Sequence, residues 1–565
     1  MAAALRAAPA AWPVPAGIFP LGDERMEAWS AQRRENSVLT GRVLNLTDEQ
    51  RAKAGLSASL VTLRATGQET LAGELRPDGT FRLEVPATFP RQQLWLRIRP
   101  VAYLEIILAE GLHMEIDAAR LAPASAEAHP GLTFTGPDGE LNSEVNRFVF
   151  AFQKDRRLGI ERRQAEAARG KTGTFAERLA ALIEARRDYE ALLREFAPKV
   201  AGWFLQHEIE AGHHDAVLQA AVATRQPLES EPFWPEIARH AAFGVTNDQA
   251  GFLRALKSYF LTLHTTRRFT PRDSLPDFAA SAAEAPPELQ AVYREALALA
   301  VGAPAPGSAE AGKLAAAVAR LQEAGVVSAH LLMMKRVREA AGPLLPRATI
   351  DLMSLTLVPR DASEARTVIA ELQREAAQLW LLRYLDEDRR ATDRRVAAIN
   401  TALAQSAPPA GGTATPLGAP QAVLPAGAAL HHLPDLGGRE LLGRIRAAFP
   451  GKALVLDFWG PWCSPCMAEL PHSARMHAAL RGEPVEFVYL GSRTTDAPWR
   501  RAIAELRLGG THVLLAPAQV DELMAFFGLG GFPGYAFIDR QGEHRPRAIS
   551  RFSAMKPDDI RRLLR

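Results

Sequence analysis

Cys463 and Cys466 are the residues of this chain with the clearest capacity for chemistry, and they are its only cysteines. A framework of several structural disulfides is therefore excluded, because such a framework needs more than one pair. Two residues separate the thiols, and this C-x-x-C spacing indicates either dithiol–disulfide exchange or half of a metal site.

Histidines near the cysteines raise the metal alternative. His472 and His477 follow Cys466 and complete the pattern C-x₂-C-x₅-H-x₄-H. Structural zinc sites have a longer gap between their two pairs of ligands, and here all four residues would lie on one helix. Further upstream, His207-Glu208 begins like the metalloprotease motif H-E-x-x-H, but position 211 is Ala. We therefore favour redox chemistry and predict no metal site.

The elements on either side of the cysteines must position them. Ala453–Trp459 is an apolar run typical of a buried strand, and residues 465–480 follow it as a helix. The first thiol then lies at a helix N-terminus, where free N–H groups and the helix dipole favour a thiolate. We predict that Cys463 is the nucleophile, and that Cys466 attacks the mixed disulfide and releases the reduced substrate.

The residues around this motif resemble a known family. V-L-D-F-W-G-P-W-C-S-P-C at positions 455–466 looks like the active-site strand and loop of thioredoxin-fold proteins. Its continuation M-A-E-L-P is similar to the TlpA/ResA-like periplasmic thiol-disulfide oxidoreductases, and G-F-P-G at 531–534 to the loop that carries the cis-proline of this fold. The resemblance covers residues 430–565. Upstream, L-T-F-T-G at 132–136 resembles the end of the N-terminal β domain of long members of the family.

Two carboxyl groups acquire a role through this resemblance. Asp457 stands where thioredoxins have a buried carboxylate, which implies that it accepts the proton of Cys466 as that thiol attacks. Glu469 matches an acidic residue of the TlpA/ResA-like pattern near the active-site cavity. With both acids present, the resemblance leaves open which of them carries the proton.

The family also implies how a substrate binds. Pro533 would lie beside the disulfide, where the backbone before it can pair with a substrate strand, and Phe532 and Trp462 are the further predicted substrate-binding residues. The family usually has Thr after this proline, whereas Gly534 stands here. Pro471, five residues after Cys466, would kink the active-site helix, because it lacks an N–H group.

Composition limits the class of the whole protein. Of the 565 residues, 47% are hydrophobic and 23% charged, so the chain can form several large cores. Lys and Arg number 67 against 64 for Asp and Glu, which argues against a dedicated nucleic-acid binder. No stretch of the sequence is apolar enough to predict a transmembrane helix.

Periodicity divides the chain further. Residues 81–85 and 94–98 alternate with period two, as half-buried antiparallel strands do, whereas Phe175–Phe196 and residues 361–388 have the period of amphipathic helices. We predict a multidomain fold with a C-terminal α/β thioredoxin fold, an all-α middle region and an N-terminal β-sandwich. The predicted limits are 1–36 for an unassigned N-terminal segment, 37–136 for the β-sandwich-like domain, 137–405 for the α-helical region, 406–428 for a linker rich in Pro, Gly and Ala, and 429–565 for the thioredoxin-like domain. Within the last, residues 535–549 are predicted to form a hairpin.

The resemblance implies a thiol-disulfide oxidoreductase that reduces protein disulfides with electrons from a thiol donor. It implies no cofactor besides the redox-active disulfide Cys463–Cys466, no nucleic-acid partner, and a location in the bacterial periplasm or cell envelope. Peripheral or lipid-anchored association with a membrane is compatible with it. Residues 1–16 are a poor signal-peptide core, because three prolines interrupt them. The sequence does not determine the oligomeric state.

Two other functions stay open. Residues 37–405 would form a binding or scaffolding module if the thioredoxin domain were an accessory. A disulfide isomerase or oxidase is the second alternative, but Ser464 and Pro465 supply no basic group to stabilise a thiolate, which favours the reductive direction.

Overall fold

A computed structural model describes the chain at residues 12–32, 35–65, 67–71, 73–121, 131–151, 156–170, 172–265, 274–305, 307–405, 416–549 and 551–565. Parts of all five predicted regions lie outside these residues: 1–11 and 33–34 of the N-terminal segment, 66, 72 and 122–130 of the β-sandwich-like domain, 152–155, 171, 266–273 and 306 of the α-helical region, 406–415 of the linker and 550 of the thioredoxin-like domain. The chain forms two compact units. The first comprises residues 1–360 and 364–389, and the second comprises 361–363 and 390–565.

The first unit begins with strands in which alternate side chains are buried, as the period-two pattern predicts. The strands are β1 (Ser37–Leu44), β2 (Gly55–Val61), β3 (Gln68–Leu71), β4 (Thr80–Val85), β5 (Gln92–Arg99), β6 (Ala102–Leu108), β7 (Gly111–Asp117) and β8 (Leu132–Thr135). They form two sheets in the orders β4-β1-β7-β8 and β3-β2-β5-β6. Leu39 and Met114 of one sheet and Leu94 and Ile106 of the other share one hydrophobic core. All pairs are antiparallel except β1 with β7.

Most helices of this unit follow the sheets, but the first precedes β1 and the second lies between β1 and β2. The first eight are α1 (Arg25–Gln32), α2 (Asp48–Lys53), α3 (Gly139–Ala151), α4 (Arg157–Arg169), α5 (Phe175–Phe196), α6 (Gly202–Thr224), α7 (Trp234–Ala238) and α8 (Asn247–Tyr259). Further α-helices span Ala279–Ala283, Pro287–Val301, Ala309–Glu323, Ala329–Ala341, Arg347–Leu355, Ala362–Glu375 and Leu379–Ala404, with a π-helical turn at Phe260–His264 and a 3₁₀ turn at Leu275–Phe278. Helix α5 has the predicted limits, because Thr174 and Glu177 form a capping box at its start and Ala197 is left-handed at its end.

Residues 361–388 do not form the single helix that their periodicity predicts. The helix Ala362–Glu375 ends, and the next begins at Leu379 and continues to Ala404. Side chains stabilise this interruption: Arg338 and Arg347 both donate to the carbonyl of Glu375, and Asp351 accepts from the N–H of Ala377. These contacts satisfy backbone groups that a continuous helix would pair internally.

The second unit contains one six-stranded sheet in the order β14-β11-β12-β13-β10-β9. Its strands are β9 (Ala422–Val423), β10 (Ala428–His432), β11 (Ala453–Trp459), β12 (Val485–Gly491), β13 (Gly510–Leu514) and β14 (Gly534–Ile538). Helices at Gly438–Ala448, Ser464–Ala479, Asp496–Leu506, Pro517–Phe527 and Pro557–Leu563, and a 3₁₀ turn at Phe552–Ala554, complete it. Strand β11 runs parallel to β12 and antiparallel to β14, and all seven of its residues are buried because hydrophobic cores cover both faces of the sheet.

Two segments of this unit differ from their predicted structures. Residues 416–428, which composition predicts to bury little, contain β9 and bury Leu417 and Leu424. The hairpin predicted at 535–549 is reduced to one antiparallel bridge, between Ile538 at the end of β14 and His544. Asp539 accepts from the N–H groups of Gln541 and Glu543 and pairs with Arg545, so the chain turns there without a second strand.

Candidate active site

Strand β11 delivers the cysteines to the start of the active-site helix, Ser464–Ala479. Cys463 is the N-cap of this helix, and its Sγ atom accepts a hydrogen bond from the N–H of Cys466 at 3.2 Å. Pro465 lies in the first turn, where the missing N–H is not needed. A negative charge on Cys463 would therefore meet an N–H donor and the positive end of the helix dipole.

Cys463 and Cys466 are joined in a disulfide, with their Cα atoms 5.2 Å apart. Both are buried, but Trp462 beside them is 50% exposed. The indole Nε1 of Trp462 donates to the carbonyl of Ser492 at 3.0 Å, which fixes this ring at the surface next to the disulfide.

The loop that carries Pro533 places it before β14. The Phe532–Pro533 peptide bond is cis, which the resemblance implied. The ring of Phe532 contacts that of Trp462 edge to face at 5.1 Å, and the guanidinium of Arg493 lies 5.6 Å from the Phe532 ring centroid. The structure thus brings the three predicted substrate-binding residues together, with Arg493 as a cationic neighbour that sequence reasoning did not identify.

Register across the sheet aligns four polar side chains. Asp457 of β11 pairs with Tyr489 of β12 and Tyr535 of β14, and Tyr489 pairs with His512 of β13. Directly paired residues point to the same face of a sheet, so the four form one row. Ser473 of the active-site helix is fully buried against this row, with its hydroxyl 3.5 Å from that of Tyr489.

Asp457 is the carboxylic acid of this row. Burial raises the pKa of Asp457 to about 8, assisted by the charge of Glu469 and opposed by a hydrogen bond from Ser473. Among the described residues, the Oδ2 atom of Asp457 and the hydroxyl of Tyr535 have no hydrogen-bond partner. Burial also lowers the pKa of His512 to about 3, so its ring is neutral at physiological pH. Asp457 therefore has the free oxygen and the proton affinity that a proton acceptor near pH 8 needs.

Glu469 is held differently. It is buried on the active-site helix, where one carboxylate oxygen accepts from the N–H of Ser553 at 2.9 Å and the other from the Ser553 hydroxyl at 2.6 Å. These bonds tie the helix to the 3₁₀ turn Phe552–Ala554. Both oxygens of Glu469 are thus occupied by one residue, in contrast to those of Asp457.

The partners of these acids were missed by sequence reasoning. Ser473, Tyr489, Tyr535 and Ser553 come from four separate elements and belong to no local motif. The strand pattern held a signal for the two tyrosines, because aligning the predicted strands would have placed them beside Asp457. No comparable signal identifies Ser553, which reaches Glu469 from 84 positions along the chain.

The histidines considered as metal ligands contact other groups of the protein. His477 stacks on Phe487 at 5.0 Å, and His472 contacts Arg475. His207 lies on α6, where its Nδ1 atom is 2.7 Å from the carbonyl oxygen of Trp203. Within the described ranges, no group of three or more His, Cys, Asp or Glu residues is arranged to hold a metal ion. No helix in those ranges is long and apolar enough to cross a membrane.

Comparison with known proteins gives partial matches. No protein-family profile matches the chain. The thiol-disulfide oxidoreductase ResA of Geobacillus thermodenitrificans is 31% identical over 113 residues, which are 20% of this chain and 60% of the relative. ResA of Bacillus thuringiensis is 29% identical over 96 residues, or 16% of this chain and 52% of the relative. The chain thus spans about half to three-fifths of the length of these relatives.

A solved structure matches a similar share of this chain. It is a secreted Mycobacterium tuberculosis disulfide oxidoreductase described as homologous to Escherichia coli DsbE, with 27% identity, a TM-score of 0.16, and coverage of 20% of this chain and 81% of the other. The sequence relatives support a thioredoxin-fold oxidoreductase domain in part of the chain. They do not extend to its full architecture.

Proposed function

We propose that this protein reduces protein disulfides through a dithiol–disulfide cycle at Cys463 and Cys466. The observation that carries the proposal is the cysteine pair at a helix N-terminus, directly after the strand that holds the buried Asp457, whose Oδ2 atom has no hydrogen-bond partner among the described residues. The ResA relatives support redox chemistry of this class. A substrate disulfide and a thiol donor are the partners that such a cycle needs, and the disulfide itself is the only redox group.

In the proposed cycle the thiolate of Cys463 attacks one sulfur of the substrate disulfide and forms a mixed disulfide, while the other substrate sulfur leaves as a thiolate. Cys466 then loses its proton to Asp457 and attacks Cys463, which restores the intramolecular disulfide and releases the second substrate thiol. Two electrons pass from the protein to the substrate, and a thiol donor returns them.

Asp457 is the better proton acceptor of the two candidate acids. Its Oδ2 is free and burial places its pKa near 8, whereas Ser553 occupies both oxygens of Glu469. We assign Glu469 a positioning role, in which it fastens the active-site helix to the Phe552–Ala554 turn.

The substrate is proposed to lie against Trp462, Phe532 and the backbone before Pro533. The exposed half of the Trp462 ring offers apolar contact beside the disulfide, and Arg493 adds a positive charge. A location in the bacterial periplasm or envelope is part of this proposal, as the resemblance to the TlpA/ResA-like periplasmic oxidoreductases implies.

Reduction of insulin disulfides by the full chain, with dithiothreitol as donor, tests the proposal. We expect the chain to accelerate insulin precipitation severalfold over dithiothreitol alone. The matched control is Cys463→Ser/Cys466→Ser, which should not exceed the background rate. A wild-type rate equal to that of the double variant would favour the binding or scaffolding alternative.

A further inference from the structure

A cavity of about 340 Å³ lies inside the first unit, apart from the thiol chemistry. Strands β5 and β6, helices α3, α4, α5 and α6 and the first turn of α8 contribute to its walls. Polar and apolar side chains both line it, as in sites that bind small organic molecules.

The main cations of this cavity are already paired. The Nε atom of Arg157 donates to Glu161 at 2.8 Å and to the hydroxyl of Tyr189 at 3.1 Å. Arg186 donates to Glu190 at 3.0 Å and to Glu236 at 2.7 Å. These two arginines are therefore neutralised by their own carboxylates.

Four carboxyl groups of the cavity make no ion pair with any described residue: Glu105, Glu208, Asp215 and Asp248. Three accept a hydrogen bond from a neutral glutamine amide, namely Glu105 from Gln93, Glu208 from Gln249 and Asp215 from Gln219. No described group donates to the carboxylate of Asp248, which lines the cavity and is solvent-exposed.

The four carboxyl groups without an ion pair determine the electrostatics of the cavity. Removal from bulk solvent raises the pKa of Asp248 to about 7, and the nearby charges of Glu105, Asp215 and Glu161 reinforce the shift against Arg157. Burial likewise raises the pKa of Glu105, of Glu208 and of Asp215, and only Asp215 is attracted to further cations, Arg169 and Arg254. A positive charge in the cavity would be stabilised by all four groups.

Aromatic side chains make the cavity suitable for an organic cation. Trp95, Phe148 and Phe204 lie in its walls. Aromatic faces attract ammonium groups and cover the methylene groups attached to them. A metal ion fits less well, because the described residues contain no cluster of three or more ligating side chains.

We propose that this cavity binds a small organic cation, a primary ammonium group on an apolar chain, with Asp248 and Glu105 as its main carboxylate partners. A free amine and a lysine side chain of a peptide share this chemistry. The site is independent of the proposed redox cycle.

Isothermal titration calorimetry of the full chain with 1,5-diaminopentane tests the proposal. We expect saturable one-to-one binding, with no binding of 1,5-pentanediol or glutarate, which have similar length but no positive charge. Nα-acetyl-lysine amide, in which the backbone is blocked and the side-chain ammonium group is free, distinguishes the two sources. Tighter binding of this probe would identify a peptide lysine as the ligand. Tighter binding of the diamine would identify a free amine.

Asp248→Asn should weaken diamine binding by at least about tenfold, because the charge pair between the carboxylate and the ammonium group is lost. Glu184→Gln is the matched control, because Glu184 is an exposed acid of α5 outside the cavity. This variant should bind the diamine with the same affinity as the wild type. Binding should also tighten as the pH rises from 6 to 8, as Asp248 ionises.

A separate readout shows that the variant folds. Without ligand, Asp248→Asn should unfold at a higher temperature than wild type at pH 8, because an unpaired charge is removed, and diaminopentane should no longer raise that temperature. Absence of diamine binding to the wild type, equal binding of pentanediol, or unchanged affinity in Asp248→Asn would each overturn the proposal.

Discussion

At the residue scale, the two sulfurs are distinguished by their positions on one helix. Cys463 caps the helix and accepts an N–H bond, whereas Cys466 lies within its first turn. The same asymmetry that stabilises a thiolate on Cys463 leaves Cys466 to close the cycle.

Cys466→Ser should therefore retain attack on substrate and lose release. We expect mixed disulfides between Cys463 and substrate proteins, seen as reducible adducts on gels, and loss of turnover. Cys463→Ser should give neither adducts nor turnover. Multiple turnover by Cys466→Ser would contradict the two-thiol cycle.

Asp457→Asn should slow the resolving step more than the first attack. In the wild type the resolving rate should rise with pH through about 8, as Asp457 becomes able to accept a proton, and this inflection should vanish in the variant. Stopped-flow measurement of both half-reactions from pH 6 to 9 checks this. Asp435→Asn, which removes an exposed carboxyl of the same unit, is the control.

The same substitution should change stability with a definite sign. The pKa of Asp457 is about 8 when folded and 3.8 when exposed, so the folded state binds more protons between these values. The free energy of unfolding should fall as pH rises through this window, by up to about 1.4 kcal/mol per pH unit. Asp457→Asn should remove this dependence and raise the stability of the oxidised protein at pH 7, measured by urea unfolding. If the free energy of unfolding depends on pH in the same way in the variant and the wild type, the pKa of Asp457 is not raised by burial.

The variant Glu469→Gln distinguishes the roles of the two acids, Asp457 and Glu469. If Glu469 only positions the helix, the inflection near pH 8 should remain and the resolving rate should fall less than in Asp457→Asn. Stability should decrease by about 1–2 kcal/mol, since bonds from Ser553 to a charged acceptor are weakened. If the inflection disappears in Glu469→Gln, the proton acceptor is Glu469 rather than Asp457.

At the element scale, the loop before β14 is shaped by a glycine at its end. A Cβ atom at Gly534 would lie 3.1 Å from the carbonyl oxygen of Gly531 and 3.2 Å from Leu529. The usual Thr of the resembling family therefore does not fit here without movement of the loop that carries Pro533.

Gly534→Thr should consequently lower kcat/KM for insulin and reduce stability by about 1–3 kcal/mol, as overpacking does. Gly530→Thr is the matched control in the same loop, because a Cβ there meets nothing within 4 Å. Equal kinetics in the two variants would show that the loop adapts freely to a larger residue.

At the scale of the whole molecule, the direction of the reaction depends on the stability of the reduced form. The described surroundings of Cys463 supply an N–H donor and a helix terminus but no basic side chain bonded to sulfur. Strongly oxidising members of the fold have stabilised reduced forms.

The full chain should therefore have a reduction potential nearer the thioredoxin value of about −270 mV than the value of about −120 mV of strong oxidants. Equilibration against a series of glutathione or dithiothreitol buffers, followed by alkylation and mass measurement of the Cys463–Cys466 peptide, gives this potential. A value close to −120 mV would favour the oxidase or isomerase alternative.

What the sequence determined by itself is local. Strand β11 has the predicted limits because seven consecutive apolar or buried positions precede a sharp turn, and α5 because its caps are encoded at both ends. The order of cysteines, strand and helix predicts Cys463 as the nucleophile, and its position at the helix terminus follows from adjacent residues.

Only the tertiary structure decided which distant groups meet. The alignment of Tyr489 and Tyr535 with Asp457 depends on strand register. The hydrogen bonds from Ser553 to Glu469 depend on how a turn distant in sequence packs against the active-site helix. The same holds for the four unpaired carboxyls of the first unit, which separate elements bring to one cavity. Pairing across such separations is set by packing of whole elements, which periodicity and motif spacing do not encode.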